Sequence, residues 1–138
     1  MTTDVSTTER NRGAALAFLE AFGSRDPERY LPFLSEDPTW RVFHSERKGR
    51  DAIVALGKVA AQLYPSDYAR EIQCVIADGD RVAVQSILRA VTNAGLDYEN
   101  YYVMLFEFAP DGRIDTVWEY LNLVYANERF DLSAVQTR

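Results

Sequence analysis

Apolar residues recur at two spacings along the chain, and the change between them separates a helical first half from a strand-rich second half. Up to Phe22 the apolar side chains return every three or four positions, as they do on one face of a helix. Ser6-Thr-Thr-Glu9 has the form of a capping box, and Gly23 follows the last apolar position. We therefore expect a first helix over about residues 7–22, with an apolar stripe formed by Ala15, Leu16, Leu19 and Phe22.

Two further helices are predicted before Pro65. Asp26-Pro27 joins an N-cap residue to a proline in the first turn, which predicts a short helix ending near Leu34. Asp37-Pro38 is expected to break the chain before a strand over residues 39–44. Gly49-Arg-Asp51 opens a third helix that stops before Pro65 and has Ile53, Leu56, Ala60 and Leu63 on one stripe.

From residue 68 onward the apolar period is two, which is typical of strands. Four strands are predicted over residues 68–77, 80–92, 98–108 and 113–124. The segments between them are turn sequences suited to hairpins: Asp78-Gly-Asp80, Asn93-Ala-Gly95 and Pro110-Asp-Gly112. Helices followed by an antiparallel meander predict an α+β fold, in which one domain over residues 1–138 wraps a curved antiparallel sheet around N-terminal helices.

Composition narrows the class of partner. The 138 residues carry a net charge of -6, and the only tight basic group, Arg47-Lys48-Gly-Arg50, is expected in a loop, so nucleic acid is not an expected partner. No apolar run approaches the roughly 20 residues that span a bilayer, so no membrane association is expected. Met1-Thr-Thr-Asp-Val-Ser6 lacks the regions of a secretory signal and Cys74 is a single cysteine, which favours a cytoplasmic protein.

The last predicted strand carries a carboxyl group in an apolar pattern. Alternation places Val117, Glu119, Leu121 and Leu123 on one face. If that face is concave, desolvation raises the pKa of Glu119, which suits a general acid or base near neutrality. The alternative is that Glu119 points outward and pairs with an arginine of a neighbouring strand.

The preceding strands supply further candidates. Asn100, Tyr102, Met104 and Phe106 share a face, so Asn100 can orient a substrate carbonyl or hold Glu119 in one protonation state. Alternatively, Asn100 is a structural residue that satisfies the hydrogen-bonding groups of a bulge or strand end. Tyr102 can offer its phenol to a substrate oxygen, or it can be a buried tyrosine that hydrogen-bonds the backbone. Ser86 has the inward parity of its strand with Leu88, and it is either a polar contact or a small filler.

Trp40, Val42 and His44 are expected on one face of the first strand. Trp40 can form a flat wall for a ring-shaped ligand, or simply belong to the core. His44 can shuttle protons near neutral pH, or simply be exposed at a strand end. No second histidine or cysteine has metal-ligand spacing, and no glycine-rich phosphate loop is present, so neither a metal nor a cofactor is expected.

The opposite face of the last two strands is rich in aromatic residues. We expect it to be covered by a second copy of the chain in a symmetric homodimer. The alternative is that the tail over residues 125–138 folds back over it. The residues concerned are Trp118, Tyr120, Asn122, Tyr101, Val103 and Leu105.

Three short motifs, in this order, carry a resemblance to a known family. They are Gly49-Arg-Asp-Ala-Ile53, Asp78-Gly-Asp-Arg-Val-Ala-Val84 and Asp111-Gly-Arg-Ile114. With the order of elements, they resemble the SnoaL-like branch of the nuclear-transport-factor-2-like cone fold over nearly the whole chain. The resemblance implies a cone-shaped sheet with a ligand pocket, and relatives that often dimerise through the convex face.

A narrower pattern is similar to the phenazine-biosynthesis A/B-like proteins. It consists of Tyr98-x-Asn100-x-Tyr102 together with Glu119-Tyr-Leu-Asn122. In that group a glutamate matching Glu119 lies in the pocket and donates a proton. This chain lacks the histidine that those proteins carry on the third helix, and it has Leu123 in place of their proline.

Together these features predict a small-molecule enzyme without a cofactor. Glu119 would move a proton, with Asn100, Tyr102 and His44 as further catalytic residues, in an isomerase, cyclase or dehydratase of a cyclic or polyketide-like metabolite. The substrate-binding wall would comprise Trp40, Ser86, Leu88, Met104, Val117 and Leu121. The alternative is a non-catalytic ligand carrier or a dimerising accessory protein.

Overall fold

The computed structural model describes residues 5–136. Residues 1–4 and 137–138, on which the secretory-signal and tail predictions partly rest, lie outside the described residues. The elements are α1 (Val5–Gly23), α2 (Pro27–Tyr30), β1 (Leu34–Val42), β2 (Ser45–Lys48), α3 (Arg50–Leu63), β3 (Ala69–Asp78), β4 (Arg81–Val91), β5 (Asp97–Phe108), β6 (Ile114–Leu121) and α4 (Leu123–Arg129). Short 3₁₀ turns cover Leu31–Phe33 and Leu132–Ala134.

The six strands form one sheet in the order β2-β1-β6-β5-β4-β3. Consecutive strands from β3 to β6 pair as antiparallel hairpins, as the turn sequences predict, whereas β1 joins the edge of β6 in parallel. The predicted fold class is confirmed: N-terminal helices pack on one face of a curved, unclosed sheet. Any space that the helices do not fill is therefore enclosed by the inner face of the sheet.

The main core lies between α1 and the middle of the sheet. Phe18 has no solvent exposure and makes edge contacts with Tyr30 and Phe106, while its ring is tilted against Trp40. These aromatic pairs hold the helix against β1 and β5 at once. Because the apolar stripe of α1 is used in this way, its position over the sheet is fixed by packing.

A second apolar cluster closes the other end of the inner face. It contains Tyr64 at the end of α3, Tyr98 and Tyr102 of β5, and Leu88 of β4, covered by Phe130 beyond α4. The ring of Phe130 stacks on Tyr98 at 5.2 Å. The described part of the C-terminal tail thus packs on the inner side of the sheet, and the expectation that it covers the convex aromatic face is wrong for residues 125–136.

The first strand differs from the prediction at both ends. The chain does not break at Asp37-Pro38, since β1 starts at Leu34 and Pro38 lies where the pairing with β6 shifts register, so its missing N–H costs no ladder bond. At the other end the strand stops at Val42, and Phe43 adopts a positive φ of 54°. Of the basic segment expected as a loop, Arg47 and Lys48 belong to strand β2, which is hydrogen-bonded back onto β1, and Arg50 begins α3.

The last strand is shorter than predicted. It ends at Leu121, and Asn122 caps α4 by accepting a hydrogen bond from the Tyr125 N–H at 3.0 Å. Asn122 and Leu123 therefore do not belong to either face of the strand, and Leu123 is exposed. Because α4 is short and has little apolar periodicity, the sequence shows no helical pattern after the strong strand pattern. The prediction therefore extends the strand too far.

The Asn122 cap is expected to stabilise the end of the fold. Replacing it in Asn122→Ala leaves the Tyr125 N–H without its acceptor and lowers the free energy of unfolding by about 1 kcal/mol. Asn122→Asp, which keeps the acceptor, is expected to retain wild-type stability within about 0.5 kcal/mol. Urea unfolding measures both, and an Ala variant as stable as wild type would contradict the assigned cap.

Candidate active site

Glu119 projects from β6 onto the inner face of the sheet. It lies in register with Met104 of β5 and Val42 of β1. The indole Nε1 of Trp40 donates a hydrogen bond to its Oε1 at 3.0 Å. Glu119 forms no ion pair among residues 5–136, so the alternative of an outward glutamate paired with an arginine is not what the structure has.

A small cavity of about 60 Å³ lies beside this carboxyl group. It separates the main core from the second cluster, and its wall is mostly aromatic and aliphatic. The lining residues are Leu19, Phe22, Trp40, Ala60, Tyr64, Tyr68, Arg70, Leu88, Tyr102, Met104 and Glu119. Arg70 and Glu119 are the charged residues of this wall, so the chemistry of the cavity depends on these two groups.

The surroundings of Glu119 disfavour its charged form. Burial raises the pKa of the carboxyl group above its ordinary value of 4.5, and the Trp40 hydrogen bond and the positive charge of Arg70 oppose that shift only in part. A carboxyl group with a raised pKa can hold a proton at a pH where an exposed glutamate has lost it. This is the property that a general acid, or a base that must return its proton, requires.

Arg70 is the functional candidate that the sequence analysis missed. Its Nη1 donates to Ser86 Oγ at 2.7 Å, and its guanidinium carbon lies 5.4 Å from the centre of the Tyr102 ring. Its Nε is buried and has no hydrogen-bond partner within the described chain. Arg70 stands opposite Leu88 in the β3–β4 register, which is the signal that could have placed it on the inner face.

That signal is hidden by an irregularity in β3. The register shifts between Ile72 and Cys74, so residues before and after this point have opposite parity. Val75 and Ala77 face the core after the shift, and extending their alternation backward places Arg70 on the outside. A one-residue irregularity of this kind moves every side chain beyond it to the other face.

A chain of hydroxyl groups fixes Tyr102 at the cavity wall. Its OH lies 2.7 Å from the Tyr98 OH and 3.4 Å from the Tyr64 OH. Asn100 Nδ2 donates to the Tyr98 OH at 2.8 Å. Burial raises the pKa of both Tyr64 and Tyr102, so these phenols stay protonated and remain hydrogen-bond donors.

Asn100 itself is buried and does not line the cavity. Its Nδ2 also donates to the carbonyl oxygen of Asn122 at 3.0 Å, and its Oδ1 accepts from the Tyr101 N–H. The amide therefore joins the end of β6 to the hydroxyl chain. Of the alternatives raised above, the contacts match an asparagine that satisfies a strand end.

The remaining predicted residues divide into two groups. Trp40, Leu88 and Met104 line the cavity, and Ser86 acts behind it by accepting from Arg70. The others lie elsewhere. Val117 is fully buried in the main core, Leu121 packs against the second cluster, and His44 is exposed in the turn after β1, because the strand ends before the predicted position.

A wide groove adjoins the cavity. It has a volume of about 770 Å³ and is lined by residues of α1, α2 and the start of β3. Leu19, Tyr68 and Arg70 line both spaces. The cavity has room for a water or two, whereas the groove has the size of a small-molecule site. A ligand would thus approach Glu119 past Tyr68 and Arg70.

In residues 5–136 no group of three or more His, Cys, Asp or Glu side chains is arranged to hold a metal ion. None of the helices in the same range is long and apolar enough to cross a membrane.

The fold and cavity define a class: an α+β protein whose curved sheet and helices enclose an acidic group in an aromatic-lined pocket. The chain belongs to the SnoaL-like domain family, which matches residues 15–117. No curated protein sequence matches it at a significant level.

Solved structures share this fold at low sequence identity. A candidate SnoaL-like polyketide cyclase from a Jannaschia species has 19% identity and a TM-score of 0.82, with 99% of this chain and 100% of that chain covered. An NTF2-like protein from Burkholderia xenovorans has 18% identity and a TM-score of 0.74, with 88% and 96% covered. A candidate ketosteroid isomerase from Kribbella flavida has 23% identity and a TM-score of 0.69, with 83% and 79% covered.

The buried carboxyl group is expected to make stability depend on pH. Because the folded-state pKa of Glu119 is raised, the folded protein keeps a proton that the unfolded chain releases above about pH 4.5. The stability contributed by this group is therefore full below the ordinary pKa and is lost as pH rises through the folded-state value. Glu119→Gln keeps an acceptor for Trp40 and removes this dependence.

Urea unfolding at a series of pH values measures the effect. The free energy of unfolding of wild type minus that of Glu119→Gln should fall by about 1.4 kcal/mol for each unit by which the folded-state pKa is raised. A difference that stays constant or grows with pH above the ordinary value would show that the carboxyl group is not desolvated.

Proposed function

We propose that the protein is an enzyme that moves a proton within a small cyclic metabolite without a cofactor, by general acid–base catalysis. Isomerisation is the reaction that this equipment fits best, with cyclisation or dehydration as related chemistry. The observation that carries the proposal is the carboxyl group of Glu119, held by Trp40 at 3.0 Å on the wall of an aromatic-lined cavity.

The proposed roles follow from these contacts. Glu119 takes a proton from a carbon next to a carbonyl group and returns it to another carbon of the same substrate. The Tyr102 hydroxyl, held by Tyr98 and Tyr64, donates to the substrate oxygen. Asn100 acts as a positioning residue through Tyr98. His44 has no part in this scheme, because it lies in an exposed turn away from the cavity wall.

Apolar walls support a ring-shaped substrate. The adjoining groove has room for a ring, and Trp40, Leu88 and Met104 offer flat or aliphatic surface to the edge of the ring that reaches Glu119. The names of the Jannaschia and Kribbella structures agree with such chemistry, although likeness at this identity carries only the fold. The narrower similarity to phenazine-biosynthesis A/B-like proteins is supported by Glu119 and Asn100 and weakened by the absence of a histidine on α3.

Glu119→Gln tests the proposal with 3-cyclohexenone as the probe, since its conversion to the conjugated ketone is followed by ultraviolet absorbance. The wild-type protein should accelerate this isomerisation, and the variant should lose at least about 100-fold of the rate, because the amide cannot exchange the proton. Glu107→Gln is the matched control: Glu107 also accepts from an indole, that of Trp118, but on the outer face of the sheet.

The outcomes separate the proposal from its rival. Loss of rate in Glu119→Gln with wild-type rates in Glu107→Gln supports acid–base catalysis. Equal rates in wild type and Glu119→Gln, or no acceleration by either, would contradict it. The second result would favour a non-catalytic carrier, which uses the same cavity only to bind.

We also propose that the protein acts in the cytoplasm as a homodimer joined through its convex sheet face. Tyr101, Val103 and Tyr120 adjoin one another there across β5 and β6, with 58%, 42% and 41% of their surfaces exposed. Trp118 beside them is already covered in part by Arg41, whose guanidinium lies 5.0 Å from its ring. Exposed aromatic surface of this kind favours burial against a second copy.

Sedimentation equilibrium tests the dimer. Tyr101→Lys places a charge in the centre of the face and should convert a dimer to a monomer, since an unpaired buried charge is costly. Leu132→Lys changes an exposed apolar residue outside this face and should leave the mass unchanged. A wild-type monomer at micromolar concentration, or a Tyr101→Lys dimer, would contradict the proposed interface.

A further inference from the structure

The location and the contacts of Arg70 are not explained by a purely structural role. It lies on the second strand position of β3, at the boundary between the groove and the cavity, and lines both. Its Nη1 donates a hydrogen bond to Ser86 Oγ at 2.7 Å, and its guanidinium carbon lies 5.4 Å from the centre of the Tyr102 ring. Its Nε proton is buried and finds no acceptor within residues 5–136. A buried donor without an acceptor costs about 1–3 kcal/mol, so the protein alone does not satisfy this guanidinium.

The charge of this arginine is also incompletely balanced. A guanidinium stays protonated at any physiological pH. Glu119 is the acidic residue of the cavity wall, yet the two form no ion pair among residues 5–136. The Tyr68 phenol, the Ser86 hydroxyl and the Tyr102 ring contact the guanidinium. Glu20 and Asp67 line the groove that Arg70 also lines, and neither forms an ion pair with it in the described chain. Arg70 is partly buried and has no salt bridge within residues 5–136, so its charge is open to pairing with an anionic ligand.

We propose that Arg70 is a specificity-determining residue that binds a carboxylate group of the substrate, so that the substrate is a cyclic carboxylic acid. This inference rests on the proposed function, in that Arg70 anchors the same molecule on which Glu119 acts. The anchor and the acid–base group lie on one wall, and Ser86 and Tyr102 hold the anchor in place.

A carboxylate is the anion that these contacts suit. The planar guanidinium presents its N–H donors in a fixed geometry that matches the two oxygens of a carboxylate. The rest of the wall is aromatic and aliphatic, which suits the ring to which the carboxylate is attached. Since Arg70 also lines the groove, an entering acid meets the arginine before it meets Glu119.

Binding of benzoate and benzamide, measured by isothermal titration calorimetry at neutral pH, tests this. The two probes have the same ring and nearly the same shape, and only benzoate is charged. Wild type should bind benzoate at least about tenfold more tightly than benzamide, and Arg70→Met should lose that preference. Arg70→Lys should keep a weaker preference, because an ammonium group attracts the anion without the planar fork.

Two controls make the test specific. Arg89→Met removes the same charge from the adjacent position of the β3–β4 register but from the outer face, where Arg89 pairs with Glu71 and Glu99, and it should keep the full preference. Glu119→Gln should bind benzoate at least as tightly as wild type, because it removes the acidic group of the cavity wall. Binding in that variant does not depend on turnover, so this inference and the proposed function can fail separately.

Three results on the preference for benzoate would overturn the proposal. They are equal affinity of wild type for the two probes, an unchanged preference in Arg70→Met, and loss of the preference in Arg89→Met. Absence of benzoate binding at about 10 mM would overturn it as well, since a charge-assisted bidentate contact should exceed that affinity. If Arg70→Met does not fold, the reduced preference expected of Arg70→Lys decides the question.

Discussion

Enclosing a carboxyl group between a helix layer and a sheet is the physical constraint on which the rest of this site depends. The desolvation of Glu119 is offset by a single indole donor, Trp40, and by the charge of Arg70. Neither contact is strong enough to return the carboxyl group to its ordinary pKa. A carboxyl group held in this way can keep a proton at a pH where an exposed glutamate has lost it, and the packing of Phe18 against Trp40 holds the indole donor in place.

The two apolar clusters have different roles in the fold. The main core joins α1 to the sheet and carries stability, whereas the second cluster joins α3, β5 and the segment after α4 around a chain of hydroxyl groups. The cavity lies where these clusters meet, so each contributes part of its wall. A polar chain that is satisfied from Asn100 to Tyr102 can stay rigid in such surroundings, and rigidity at the wall is what acid–base chemistry needs.

Much of this arrangement could be predicted from the residues, for reasons that can be stated. Strand alternation places Glu119, Met104 and Leu88 on the inner face because the period of two is undisturbed over β4, β5 and most of β6. The helix stripe likewise identifies Leu19 and Ala60 as inward, although it cannot say that they face an opening. The fold class follows from the same periodicities together with the turn sequences.

The errors occur where periodicity is interrupted. Arg70 precedes a register shift in β3, and His44 lies in the turn that reverses the chain after Val42, so parity misplaces both. Tyr68 and Tyr64 lie around a bend between α3 and β3, where no periodic pattern applies. A sequence pattern also does not show whether a polar side chain has hydrogen-bond partners. The amide of Asn100 is hydrogen-bonded by the protein, whereas the Nε of Arg70 has no partner among the described residues, and only coordinates show that difference.

The most direct test of this account is the titration of Glu119 itself. Carbon-13 NMR of protein labelled at the glutamate side chains, with Glu119→Gln used to assign the resonance, gives the midpoint of its ionisation. The account predicts a midpoint above the ordinary value of 4.5, and a further rise in Trp40→Phe, which lacks the indole donor that favours the charged form. A midpoint at or below the ordinary value would contradict it.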